Sequence, residues 1–101
     1  MDATYPLAVV HALLRDGHYR VTASAATSTR ASGMDAIDLI GCIASLTRAD
    51  FHKTMPAERL KGLWQDVYRP TWCGVPLYVK LQVVAHQASG GRLVIVSFKK
   101  R

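Results

Sequence analysis

Apolar positions recur every three to four residues in the first half of the chain and every second residue in the last third. Between Thr4 and Leu14, the residues Leu7, Val10 and Leu14 fall on one helical face. Thr4 is placed to cap that helix, Pro6 suits its first turn, and Gly17 is a natural stop. His18 to Thr22 alternates as a short strand. Ala23 to Ser32 is small and polar, compatible with a short helix or a loop. Asp35 to Leu46 predicts a second helix, with Asp35 as N-cap, Asp38 three residues on, and Ile37, Ile40, Ile43 and Ala44 as the buried stripe. Thr47-Arg48-Ala49-Asp50 resembles another capping sequence, opening a short turn that runs to about Met55 and ends at Met55-Pro56.

From Leu63 onward the period is two, which predicts strands over Leu63 to Arg69, Leu77 to His86 and Leu93 to Lys99. Gly74 and Pro76 mark the first connection and Ser89-Gly90-Gly91 the second. There are no internal repeats and no linker, so residues 1–101 read as a single α+β domain: N-terminal helices packed on a C-terminal antiparallel sheet. The alternation also sorts side chains by face. Val79, Leu81 and Val83 share one face of the second strand, and Tyr78, Lys80 and Gln82 the other. On the third strand Val94, Val96 and Phe98 alternate with Ile95, Ser97 and Lys99. Pairing that makes the apolar faces coincide sets Val79 beside Phe98, Leu81 beside Val96, Tyr78 beside Lys99 and Lys80 beside Ser97. A slip by one residue would bring Lys99 beside Val79 on the core side, at a high desolvation cost. Tyr78, Lys80 and Lys99 are therefore expected on one face, with Tyr78 and Lys80 roughly 7 Å apart along the strand.

Charge gives that face a direction. The net charge is +6, and it is unevenly spread. Residues 1–50 carry four basic and five acidic side chains, −1 net; residues 51–101 carry nine and two, +7 net. A one-sided basic surface points to a polyanionic partner such as nucleic acid, an acidic protein or an anionic membrane. Two cysteines without CxxC spacing, no cationic leader before an apolar run, and no apolar run near the ~18 residues of a membrane span predict a reduced, cytoplasmic protein.

Motifs for other chemistries are missing. There is no phosphate-binding glycine loop, no HExxH and no nucleophile elbow. His11, His18, His52 and His86 lack metal-ligand spacing, and the seven carboxylates are dispersed. What remains is a face of lysines and tyrosine with Gln65, Arg69 and His52 nearby in sequence. Such a set can cut RNA without a metal, because the substrate supplies its own nucleophile, the 2′-hydroxyl. Lys and Arg stabilise the extra negative charge on phosphorus, and His, Tyr or Lys can move protons. The same residues equally suit binding of nucleic acid without cleavage, with aromatic rings stacking on unpaired bases.

Four segments carry a resemblance: Asp50-Phe51-His52-Lys53-Thr54-Met55, Trp64-Gln65-Asp66-Val67-Tyr68-Arg69-Pro70, Leu77-Tyr78-Val79-Lys80 and Val94-Ile95-Val96-Ser97-Phe98-Lys99. In this order they resemble the MqsR family of bacterial toxins, over nearly the whole chain. The resemblance implies a RelE-like α+β fold and the toxin of a type II toxin–antitoxin system. It implies an mRNA interferase that cuts at short GC-containing sequences without the ribosome, needs no cofactor of its own, and arrests translation and growth. It also implies a partner: a zinc-binding, helix-turn-helix antitoxin (MqsA-like) that represses the shared operon, the zinc belonging to that partner. An alternative is a decayed toxin, or a nucleic-acid-binding protein, that no longer cuts. Carried over by motif, the catalytic positions fall on Lys53, Gln65, Tyr78 and Lys99, with Met55 and Arg69 in supporting places. Lys53 and Lys99 would stabilise the phosphate, Tyr78 would transfer a proton or stack on a base, and Gln65 would orient the phosphate or read a base. His52 stands where the family pattern has tyrosine. His86 is a displaced counterpart of a hairpin histidine, in a loop longer than usual. Together with Lys80 they complete the expected RNA-binding set. Trp64 is expected in the core, and Asp66 has the parity of a core-facing residue.

Overall fold

The computed structural model describes residues 2–85 and 91–101. The first helix, α1, spans Leu7–Arg15 and is preceded by Pro6 at the N-cap, so it starts later than Thr4. Thr4 does not cap it. The backbone N–H groups of Thr4 and Tyr5 donate instead to the two carboxylate oxygens of Asp66, at 2.9 and 2.8 Å. Strand β1 is Tyr19–Val21. Thr22 then accepts a hydrogen bond from the Ala25 N–H, and this cap makes Ala23–Ala31 a helix, α2. Helix α3, Ala36–Ala44, opens with a reciprocal Asp35/Asp38 capping box.

The buried stripe of α3 holds Ile43, with Ile40 packed at its edge, as expected, but leaves Ile37 and Ala44 exposed. Leu39, Cys42 and Ile43 face inward, followed by Leu46 beyond the helix end, while Ile37 is 80% exposed. Positions 39, 42, 43 and 46 follow the i, i+3, i+4, i+7 rule, and this rotation buries Leu46 as well. Next, Arg48–Asp50 forms a single 3₁₀ turn. It leads into a strand, β2 (Phe51–Pro56), where a turn is expected from sequence. Strand β2 is an edge strand, which is why Pro56 is tolerated in it.

The remaining strands are β3 (Trp64–Tyr68), β4 (Thr71–Trp72), β5 (Val75–Val84) and β6 (Arg92–Lys100). Cys73 and Gly74, at φ 50° and 80°, form the two-residue turn between β4 and β5. The sheet runs β1-β6-β5-β3-β2, with β4 also paired to β5. It is mixed rather than antiparallel, because β1 lies parallel to β6. A parallel neighbour needs a long crossover between the two strands, and the segment carrying α2 and α3 lies within it.

Val10 and Leu14 of α1, Ala25 of α2 and the α3 stripe pack on one face of the sheet, against Tyr68, Leu77, Val79, Leu81, Leu93, Ile95 and Phe98. Two bulges decide which other side chains face away. Along β5 and β6 the pairs Tyr78–Lys99, Val79–Phe98 and Lys80–Ser97 are as parity predicts. The register then shifts, and Leu81 pairs with Ile95 instead of Val96. The extra residue lets Phe98, Ile95 and Leu93 all enter the helix-side core, so Val94 and Val96 lie on the opposite face. Along β2 and β3, Phe51 pairs with Tyr68 and Lys53 with Val67. His52 is the extra residue there. Phe51 therefore points toward the core, its ring 5.6 Å from that of Tyr68, while Lys53 turns to the open face. Among the described residues no helix is long and apolar enough to cross a membrane.

Candidate nucleic-acid interface

The sheet face opposite the helices holds nearly all the residues singled out from sequence, in three rows across the strands. Paired residues in neighbouring strands share a face, about 4.8 Å apart. One row sets Tyr78 beside Lys99, and Arg69, just past β3, extends it by alternation. The middle row runs Lys53, Val67, Lys80 and Ser97. The third runs Met55 and Gln65 on the β2–β3 side, then Gln82, Val94 and Arg20.

Tyr78 is the centre of the cationic part. The Lys99 ammonium lies 5.3 Å from its ring centroid and the Lys80 ammonium 5.9 Å. Contacts of this kind hold the cations near the ring by its quadrupole. Val67, between Lys53 and Lys80, is fully buried although it lies outside the helix-side core. Lysine stems commonly shield such a position while their charged ends stay in water. Among the described residues the one ion pair is Arg15–Asp16, so Lys53, Arg69, Lys80 and Lys99 have no carboxylate partner there. Their charge is available to a phosphate.

The two carboxylates of the second half are kept off the row of cations. Glu58 lines a groove that Lys80 also borders, but makes no ion pair there. Asp66 points to the helix side, 1% exposed, and accepts from Thr4 and Tyr5. The Thr4 and Thr54 hydroxyls share a 2.7 Å hydrogen bond, and the Tyr5 hydroxyl donates to the Trp64 carbonyl at 2.7 Å. The N-terminal segment is thereby fastened to the β2–β3 hairpin that carries Lys53 and Gln65. Asp66 thus has the core parity expected of it. Trp64 does not: at 43% exposed it is no core tryptophan, because it sits in the last β2–β3 pair, opposite Pro56 of the edge strand. Tyr68 is the large buried aromatic of this strand.

Met55 is half-buried opposite Gln65, and Arg69 is exposed. His52 is exposed at the bulge next to Lys53. His86 and the loop around it lie outside the described residues. Among the described residues no three His, Cys, Asp or Glu side chains come together as metal ligands would. Two residues of the face were not chosen as site residues from sequence. Gln82 accepts a 2.9 Å hydrogen bond from the Gln65 amide and is 8% exposed. Its shared parity with Tyr78 and Lys80 was the available signal. Arg20 carried no local signal, because only the parallel docking of β1 brings it beside Val94.

A family model described as motility quorum-sensing regulator, toxin of MqsA, matches residues 2–100. The chain belongs to the MqsR toxin family. It is 34% identical over 95 residues to the mRNA interferase toxin MqsR of Escherichia coli strain K12, covering 94% of this chain and 91% of that protein. As an MqsR-family member it is a toxin of a toxin–antitoxin pair. The resemblance read from the four segments is thus shown independently, and the lysine–tyrosine face belongs to an MqsR-type toxin.

Proposed function

We propose that this toxin is a metal-independent, ribosome-independent endoribonuclease that cuts mRNA at short GC-containing sequences, and that Lys53, Gln65, Tyr78 and Lys99 carry the reaction. The observation that supports this best is Tyr78 flanked by the Lys80 and Lys99 ammonium groups, one row from Lys53, on a face where those cations have no carboxylate partner among the described residues. The family, and the name of the Escherichia coli relative, point the same way.

In the reaction the 2′-oxygen attacks the adjacent phosphorus. The P–O2′ bond forms, the P–O5′ bond breaks, and the products are a 2′,3′-cyclic phosphate and a 5′-hydroxyl. The 2′-proton must leave and the 5′-oxygen must gain one. Lys53 and Lys99 stabilise the added charge on the phosphorane. Tyr78 transfers a proton at its hydroxyl, and Gln65 orients the substrate. His52, Met55, Arg69, Lys80 and His86 support binding of the strand. The toxin acts on cytoplasmic mRNA and halts translation and growth. A cognate zinc-binding, helix-turn-helix antitoxin neutralises it, the zinc being the partner's.

Purified protein is expected to cut single-stranded RNA with GC steps in the presence of chelator, leaving cyclic phosphate ends, and to spare a substrate with 2′-deoxyribose at the cut. Lys53→Ala and Tyr78→Phe proteins with wild-type circular dichroism should be slower by roughly 10²-fold or more. Wild-type rates in both variants would show that the site is misassigned. Tight RNA binding with no cutting by the wild type would favour the non-catalytic alternative.

A further inference from the structure

We propose that the groove beside Lys80 is a nucleobase subsite, where Gln82 and Gln65 together read the hydrogen-bonding edge of an unpaired base next to the scissile phosphate. This rests on the RNA-cutting reading above and extends it to sequence choice. The groove has a volume of about 290 Å³ and is lined by Arg20, Glu58, Arg59, Gln65, Lys80 and Gln82, among others.

Gln82 follows Lys80 by two residues on the same strand face, about 6.8 Å along β5. That displacement is comparable to one nucleotide step of an extended single strand. A phosphate held near Lys80 and Tyr78 would thus bring a neighbouring base over Gln82.

Gln82 is 8% exposed, and a primary amide at that depth is costly unless its hydrogen bonds are made. Its oxygen accepts from the Gln65 amide at 2.9 Å. Among the described residues neither side chain has another hydrogen-bond partner, and no fully enclosed polar side-chain atom is left without one. The remaining amide groups therefore open into the groove. Whichever way the two amides are turned, the pair presents a carbonyl and an amino group side by side. Such an edge matches the adjacent donor and acceptor of a nucleobase. Val96, half-buried in the groove wall, supplies apolar surface for the plane of the ring, and Arg20 and Arg59 outnumber Glu58 there, leaving positive charge for the flanking phosphate.

Short RNAs varied at the nucleotides flanking the cut test this. Wild-type protein should discriminate at both flanks. Gln82→Leu should lower discrimination at one flank by roughly tenfold and keep it at the other. Gln82→Glu, which offers only acceptors, should shift that flank toward guanine, whose edge carries two adjacent donors. Arg20→Ala should weaken all sequences alike and reduce the log–log salt slope by about 0.7. The proposal is overturned if Gln82→Leu, with wild-type circular dichroism, discriminates as well as wild type at both flanks. Should the wild type cut no RNA, the endoribonuclease reading fails, and the subsite is judged by binding to 2′-O-methyl RNAs of varied sequence. A spread of affinities that narrows in Gln82→Leu supports it; an unchanged spread overturns it.

Discussion

Asp66 shows how a single side chain can serve a site it does not touch. Its carboxylate is buried among groups that can only donate to it, the N–H groups of Thr4 and Tyr5. An asparagine there keeps one acceptor and turns an amino group toward the second N–H. Asp66→Asn is expected to lose about 1–3 kcal/mol of stability, measured by urea unfolding. Because the contact fastens the β2–β3 hairpin, amide exchange should quicken first over Phe51 to Tyr68. Exchange that quickens uniformly would deny it that local role. The parity of Asp66 was visible in the sequence, but its partners were not, since they lie 62 and 61 residues away. The same holds for Gln82. Alternation placed it with Tyr78 and Lys80, and only the folded chain put Gln65 in reach of it.

At the scale of elements, the two bulges matter most. Phe51 and Lys53 have the same parity, yet one packs on Tyr68 and the other turns to the open face, because His52 is inserted between them. Ile95 and Lys99 likewise share parity, and the shift at Val96 separates them. A strict period of two would force each lysine into the core or each apolar partner out of it. Deleting His52 would make Phe51 and Lys53 consecutive in a regular ladder, with Phe51 still inward and Lys53 still on the open face. RNA cutting should therefore be retained to within roughly tenfold, with circular dichroism close to wild type; a loss of roughly 10²-fold or more would mean that the bulge does more than set the parity of Lys53. Packing of α3 on the β4 turn depends on Gly41. A β-carbon there would lie 2.9 Å from two atoms of the Trp72 ring, whose N–H donates to Asp38 at 3.2 Å. Helix propensity favours Gly41→Ala by about 1 kcal/mol, but overpacking typically costs about 1–3 kcal/mol. A lower urea midpoint and a changed tryptophan emission are expected; a raised midpoint would show that Trp72 gives way freely.

For the molecule as a whole, stability should decline in alkali. Burial pushes the Cys42 thiol from 9.0 up to about 12, with Asp50 and Cys73 adding to it, and burial likewise pushes the Tyr68 phenol from 10.0 up to about 12. In the unfolded chain the thiol begins to ionise near 9 and the phenol near 10, while the folded chain holds both protons. The unfolded state binds fewer protons in that window, so stability falls as pH rises from 9 toward 12 and is unaffected by these groups below it. Urea unfolding at a series of pH values checks this, and Tyr68→Phe should flatten the part above pH 10. An identical slope in that variant would remove Tyr68 from the account.

Legible in the chain's own pattern were the fold class, the two clear helices, the three C-terminal strands and the shared face of Tyr78, Lys80 and Lys99. Each of these rests on local periodicity or on pairing of neighbouring strands. The helix rotation that hides Leu39 rather than Ile37, the strand at Phe51–Pro56, the parallel docking of β1 and both bulges were decided only by tertiary structure. Their common reason is that each trades a local preference against burial of residues distant in the chain. The basic half of the molecule could be read from charge alone. That Lys53 joins Lys80 and Lys99, and that Gln65 reaches Gln82, was decided by the bulge in β2 and by the pairing of β3 with β5.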